Sequence, residues 1–189
     1  SARVSLLNQS KDDWIDNGFS GEKDAMGGHE DQAYRLQLAY RPSEKLDMLF
    51  NYHARSYEGT SSIFRANILT TGSNKLNDNY DRDTVWFDAG DNNPQEYDNS
   101  GWSLKLNYDL GAVTLTSITA MEMADGRSLG DIDGGAIISD GEGNVIETKP
   151  GFIPFGAVTE DQLDDLEQFT QEIRFSSNET MPLSWQAGM

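Results

Sequence analysis

The 189-residue chain is long enough for one domain with a core of its own, and it carries 32 acidic against 14 basic side chains, a net charge of −18. That balance excludes a nucleic-acid partner, because a phosphate backbone needs a basic surface. With no cysteine, a disulfide framework and a thiolate zinc site are excluded too, and the two histidines, His29 and His53, are too far apart in sequence to suggest a metal cluster.

The chain opens on SARVSLLNQS, which has neither a basic segment nor an apolar one, so no targeting signal is expected. No run of about 18 apolar residues exists, which excludes a membrane-spanning helix. A spanning barrel is not excluded, since its strands announce themselves only by alternation.

Taken in order, residues 2–9 set Ala2, Val4 and Leu6 on one parity against Arg3, Ser5 and Gln9. A long link, 10–30, follows. Residues 31–41 carry Tyr34, Leu36, Leu38 and Tyr40 against Arg35, Gln37 and Arg41, and the short turn RPSEK leads to 45–57. There Leu46, Met48, Phe50, Tyr52 and Ala54 face away from Asp47, Asn51, His53 and Arg55. After a second long link, 59–100, the stretch 101–110 alternates Trp102, Leu104, Leu106, Tyr108 and Leu110 with Ser103, Lys105, Asn107 and Asp109. The short DLGA turn then opens 112–124, a weaker strand with Val113, Leu115, Met121 and Met123 on one parity. A third long link, 126–167, contains TEDQLDDLEQ, expected to form one helical turn within a loop. Residues 168–177 set Phe169, Ile173 and Phe175 against Thr170, Glu172, Arg174 and Ser176, the short link SNETMP follows, and 183–189 alternates Leu183, Trp185, Ala187 and Met189 with small or polar residues.

The expectation is an all-β, antiparallel, up-and-down meander of about seven strands. Short and long links alternate, as in outer-membrane barrels with brief periplasmic turns and extended outer loops. The three long links hold net charges of −4, −4 and −8, so almost all the acidity lies at one end of the meander. Acidity there suits a solvated surface or one that holds divalent cations or a cationic ligand.

Alternation alone does not say whether protein or lipid covers the apolar parity. Length favours lipid: about 11 residues at roughly 3.3 Å each, tilted near 45°, rise about 25 Å, the height of a barrel's apolar band. Aromatic placement agrees, because Tyr34, Tyr40, Tyr52, Trp102, Tyr108 and Trp185 share that parity and several lie near strand ends, where ring edges meet headgroups. Charge exclusion agrees as well. No Lys, Arg, Asp or Glu occupies the apolar parity in the seven segments, where a basic side chain at mid-bilayer would cost roughly 2–4 kcal/mol. The expected lipid-facing set is Tyr34, Leu36, Leu38, Tyr40, Met48, Phe50, Tyr52, Leu104, Leu106, Tyr108, Ile173, Phe175 and Trp185.

The phrase GWSLKLNYDLGAVTLTSITAM, followed after a long insertion by FTQEIRFSS and a Trp-Gln-Ala-Gly strand, resembles the early barrel strands of TonB-dependent outer-membrane receptors of the sphingomonad and related proteobacterial type. RLQLAYRPSEKLDMLFNY is similar to a strand, periplasmic turn and strand of the same family. The resemblance covers about half the chain, all of it strands and turns. It implies a barrel of about 22 strands in the outer membrane of a Gram-negative bacterium. It also implies a plug domain in the lumen, TonB as energy-coupling partner, lipid and lipopolysaccharide as surroundings, and uptake of a scarce solute such as an iron chelate, cobalamin or an oligosaccharide. This chain shows neither plug nor TonB-contacting box, so an internal stretch of such a barrel, residues 1–189, is expected.

No nucleophile elbow, phosphate loop or HExxH helix is present, so neither enzymatic activity nor a cofactor is expected. DIDGGAIISDGEGN lacks the glycine that a calcium loop places after its third ligand position, in both the Asp131 and the Asp140 registers. The ligand-contact candidates are Tyr80, Arg82, Trp86 and Phe87, whose mixture of rings and charge suits stacking on a sugar or chelate ring, with His53 and Arg55 on the polar parity. A secreted soluble β-sandwich that binds carbohydrate, or another outer-membrane barrel such as a porin or autotransporter, stays open as an alternative.

Overall fold

The structure, a computed structural model, describes residues 1–178 and 182–189; Glu179, Thr180 and Met181 of the SNETMP link lie outside them. The described residues form nine strands and no helix: β1 (Ala2–Lys11), β2 (Asp16–Asn17), β3 (His29–Ser43), β4 (Leu46–Thr60), β5 (Thr84–Val85), β6 (Pro94–Asp109), β7 (Val113–Asp131), β8 (Val158–Ser177) and β9 (Gln186–Gly188). Seven of them make one open antiparallel sheet in chain order, β1-β3-β4-β6-β7-β8-β9, while β2 and β5 form a small parallel pair within the long links.

The register gathers the apolar positions of all seven strands on one face. Val4, Leu36, Tyr52, Trp102, Met121 and Phe169 form one row across the sheet, and Tyr40, Met48, Leu106, Ser117 and Ile173 another. Nearer the short turns, Leu46, Tyr108, Leu115, Phe175 and Ala187 form a third. Tyr34 and Tyr52 meet diagonally with ring centroids 5.9 Å apart. No other strand packs on this face, because each strand of the sheet contacts only its neighbours in the ladder. Leu6 is 80% exposed and Tyr40 64% exposed. Apart from Leu129, at the loop-side end of β7, the buried hydrophobic side chains lie outside the seven-stranded sheet, so the sheet's apolar face is no internal core.

Several boundaries differ from the alternation. β6 begins at Pro94 instead of 101, β7 runs to Asp131 instead of 124, and β8 begins at Val158 instead of 168. β3 and β4 extend to 29–43 and 46–60, whereas the last strand shrinks from 183–189 to Gln186–Gly188. The reason is chemical. Past the row of Tyr34, Ala54, Ser100 and Met123 the apolar-parity positions become Glu30, Glu58, Glu96, Asp98 and Asp125, so hydrophobic alternation stops while the backbone ladder continues.

The expected helical turn in TEDQLDDLEQ is overturned, for the whole stretch belongs to β8. Leu163 and Leu166 are three apart, a helical spacing, yet both face the polar side of the sheet. A one-residue bulge opposite Asp125 inserts the extra residue, shown by Leu166 pairing Ala124 while Leu163 pairs Gly126. Asp165 turns to φ 47° there, and its N–H donates to Asp125 Oδ1 at 2.8 Å. A second shift, between Tyr40 and Ser43, includes Pro42, which has no N–H to give the ladder. Arg41 closes that hairpin by donating Nη2 and Nε to Asp47 Oδ2 at 2.8 and 3.2 Å. In the DLGA turn Gly111 adopts φ 96° and donates its N–H to Asp109 Oδ1 at 2.7 Å.

The long links interlock. Ile15, Met26, Val85 and Phe87 form a small buried core, with Trp14, Ala25 and Ile63 packed against it. Buried Asn17 ties the first link to the second by donating Nδ2 to the Phe87 carbonyl at 2.9 Å and to Asn92 Oδ1 at 3.0 Å. Buried Asn93 ties the second to the third: it accepts the Asp131 N–H at 3.0 Å and donates to the Ser62 carbonyl at 3.2 Å.

Candidate functional site

On the polar face, one row reads Ser5, Arg35, His53, Gly101, Glu122 and Gln168. His53 Nε2 lies 3.1 Å from Glu122 Oε2, across the whole width of β6. The contact exists because position 101 carries no side chain; a Cβ there would sit 2.2 Å from the Glu122 carboxylate. His53 Nδ1 is buried and has no partner among the described residues. One row nearer the loops, Arg55 grips Asp31 through a two-pronged pair, Nε to Oδ1 at 2.8 Å and Nη2 to Oδ2 at 2.9 Å. Its guanidinium lies 5.7 Å from the Tyr57 ring centre. One row further, Tyr97 lies over Gly126, where a Cβ would come within 2.1 Å of the ring.

The four loop candidates do not converge with these residues. Phe87 is 2% exposed within the loop core and is closed to any ligand. Trp86 is half-buried against Gly18 and Gly151, both of which leave room for its indole. Tyr80 is exposed, with the Arg65 guanidinium 5.9 Å from its ring centre. Arg82 lies 5.2 Å from the Trp14 ring centre, a ring also approached by Lys11 Nζ at 4.7 Å. All four therefore meet residues of the first two links, Trp86 also meeting Gly151 of the third, whereas His53 and Arg55 share one cavity.

The loop carboxylates serve the backbone. Asp140 accepts the Glu142 and Asn144 N–H groups at 2.9 and 2.8 Å, and those bonds with the Asn144 amide hold its carboxyl below the usual range. An ion pair with Lys23 does the same for Asp16. Asp131 is the opposite case. It is fully buried, its Oδ1 has no partner among the described residues, and burial together with the nearby charges of Asp133 and Asp88 pushes its carboxyl up to about 6. Among the described residues no group of three or more His, Asp or Glu side chains is arranged to hold a metal ion.

Alternation assigns His53 and Arg55 a face but not neighbours. Glu122, Arg3 and Arg35 become their neighbours only through strand register, which the single-strand pattern does not contain. Gly101 inside an otherwise clean alternation was the available signal, since a glycine in a strand marks a close approach of neighbouring groups. Compared with protein-family models, curated proteins and solved structures, the chain matches none.

Proposed function

We propose that the chain forms part of the wall of an outer-membrane β-barrel of the TonB-dependent receptor type, binding and taking up a scarce solute rather than catalysing a reaction. One observation carries this reading. A continuous apolar face crosses seven strands with no other strand packed on it, and over the two to three rows nearest the loops it gives way to mostly acidic side chains. On β4 it runs from Leu46 to Ala54, about 27 Å along the strand and roughly 20 Å upright at the tilt of such strands, close to the ~25 Å apolar band of a barrel. The acidic rows above it match the hydrated headgroup zone, and the polar face with its ion pairs matches a water-filled or plug-filled lumen. Lipid and lipopolysaccharide would cover the apolar face, and further strands would cover the open edges, since unpaired edge groups have no partner in hydrocarbon.

The test is a pair of substitutions in the full-length protein. Leu106→Arg puts a guanidinium in mid-band, costing roughly 2–4 kcal/mol, and should abolish assembly scored by heat-modifiable gel mobility. Asn107→Arg points to the other face and should assemble. Equal tolerance at both positions rejects lipid on that face.

A further inference from the structure

We propose that Arg3 and Arg35, with Arg55 and His53 beside them, form a binding site for an anionic solute presenting carboxylate or phosphate groups. This deepens the receptor reading above and rests on it. A cavity of about 490 Å³ lies on the polar face over β1, β3 and β4, lined by Arg3, Arg35, Arg55 and His53 together with the amides of Gln37 and Asn99. No carboxylate lines it. Its volume falls within the range that holds small-molecule ligands.

Of the three guanidinium groups that line the cavity, Arg55 is matched to Asp31, and His53 Nε2 lies 3.1 Å from Glu122. Neither Arg3 nor Arg35 has a carboxylate within salt-bridge distance among the described residues. Arg3 is registered opposite Gln37, so Arg35 is its diagonal neighbour, roughly 7–8 Å away, a separation two guanidinium arms close around one oxyanion. Arg35 is also directly opposite His53 across the β3–β4 ladder. Arg55 is already fixed by Asp31, so it forms a rigid wall whose guanidinium needs no reordering on binding.

Two carboxylates share the polar face beside the cavity, Asp31 held by Arg55 and Glu122 3.1 Å from His53, and neither lies within salt-bridge distance of Arg3 or Arg35. Glu30, Glu58, Glu96 and Asp98 occupy the apolar parity, opposite in direction to Arg35 and Arg55 on the same strands. Arg35 and Arg55, opposite and two residues beyond His53, flank the loop-side end of the apolar band at Ala54, where a solute arriving through the loops meets the wall.

The probe is citrate, a tricarboxylate, titrated into the purified full-length protein at constant ionic strength balanced with chloride. Equilibrium dialysis should show saturable binding that the double variant Arg3→Gln/Arg35→Gln weakens at least about 10-fold, while Lys149→Gln in the third loop leaves it unchanged. No binding beyond that of a salt-matched control overturns the proposal, as does equal binding by the double variant. Should the double variant fail to assemble, Arg35→Lys keeps the charge and loses the fork. It should bind citrate about 3- to 10-fold more weakly, and unchanged affinity counts against the site. Heat-modifiable mobility of the same preparation reports separately on the barrel, so failure of citrate binding in a protein that migrates as a barrel rejects the site and leaves the receptor reading intact.

Discussion

Asp131 has no exposed surface, an Oδ1 without a partner among the described residues and two further carboxylates near it, so its charge is a cost to the fold. Its carboxyl is raised from an ordinary 3.8 to about 6. The folded state therefore holds the proton more tightly than the unfolded one, and the contribution to stability is full below about pH 4 and lost as pH rises through about 6. Asp131→Asn keeps an acceptor for the Asp88 N–H, which sits 3.0 Å from Oδ2, and removes the charge. Unfolding of the loop module, followed by hydrogen exchange, should show the variant more stable at neutral pH by on the order of 1–3 kcal/mol and indistinguishable from the natural protein near pH 4. A variant less stable at neutral pH would mean that Asp131 has a partner in the folded protein. Gly101→Ala makes a second residue-scale prediction. Its methyl group displaces the Glu122 carboxylate from His53, lowering stability by about 1 kcal/mol in thermal unfolding, and pairing it with Glu122→Ala should recover most of that loss.

At the scale of elements, alternation located the centre of every long strand and missed its loop-side end. Residues 101–110 read as a strand because Trp102, Leu104, Leu106 and Tyr108 alternate with polar residues, whereas 94–100 offers only Pro94, Glu96, Asp98 and Ser100 at the same parity. A sheet with polar groups on both faces has no period to read, although its backbone bonds are the same. β8 shows the other failure: one inserted residue at a bulge converted a period of two into a spacing of three, and two leucines on one side of a strand resembled a helix. Asp165 occupies the left-handed region at φ 47°, which aspartate tolerates and β-branched residues resist. Asp165→Val should cost about 1–2 kcal/mol and Asp165→Gly should be neutral, measured by thermal unfolding of the full-length protein. A neutral valine would show that the bulge is not needed. The candidate site was half legible for a related reason. His53 and Arg55 stand out in one strand, but Arg3, Arg35 and Glu122 join them only when three or more strands are in register, and Phe87 looked like a ligand ring until the links folded around it.

The whole molecule is a sheet with three environments and a small loop module above it. One face is apolar with no other strand packed on it, the opposite face is ionic, with Arg55, Arg41 and Arg174 in ion pairs and Arg3 and Arg35 without a carboxylate partner among the described residues, and the loop-side rim is acidic. A water-soluble protein with that apolar face exposed would bury it on itself or aggregate, so a medium or partner must cover it. The central claim is that the medium is hydrocarbon. The absence of cysteine from this chain makes the direct measurement clean. Single cysteines from 46 to 60, spin-labelled in the full-length protein reconstituted into bilayers, report collision rates with oxygen, which concentrates in lipid, and with a water-soluble nickel chelate. The account predicts high oxygen and low nickel accessibility at Leu46, Met48, Phe50, Tyr52 and Ala54, the reverse at the intervening odd positions, and a switch to nickel accessibility at Ser56 and Glu58. Low accessibility to both probes at the even positions, the result for side chains packed against protein, would contradict it.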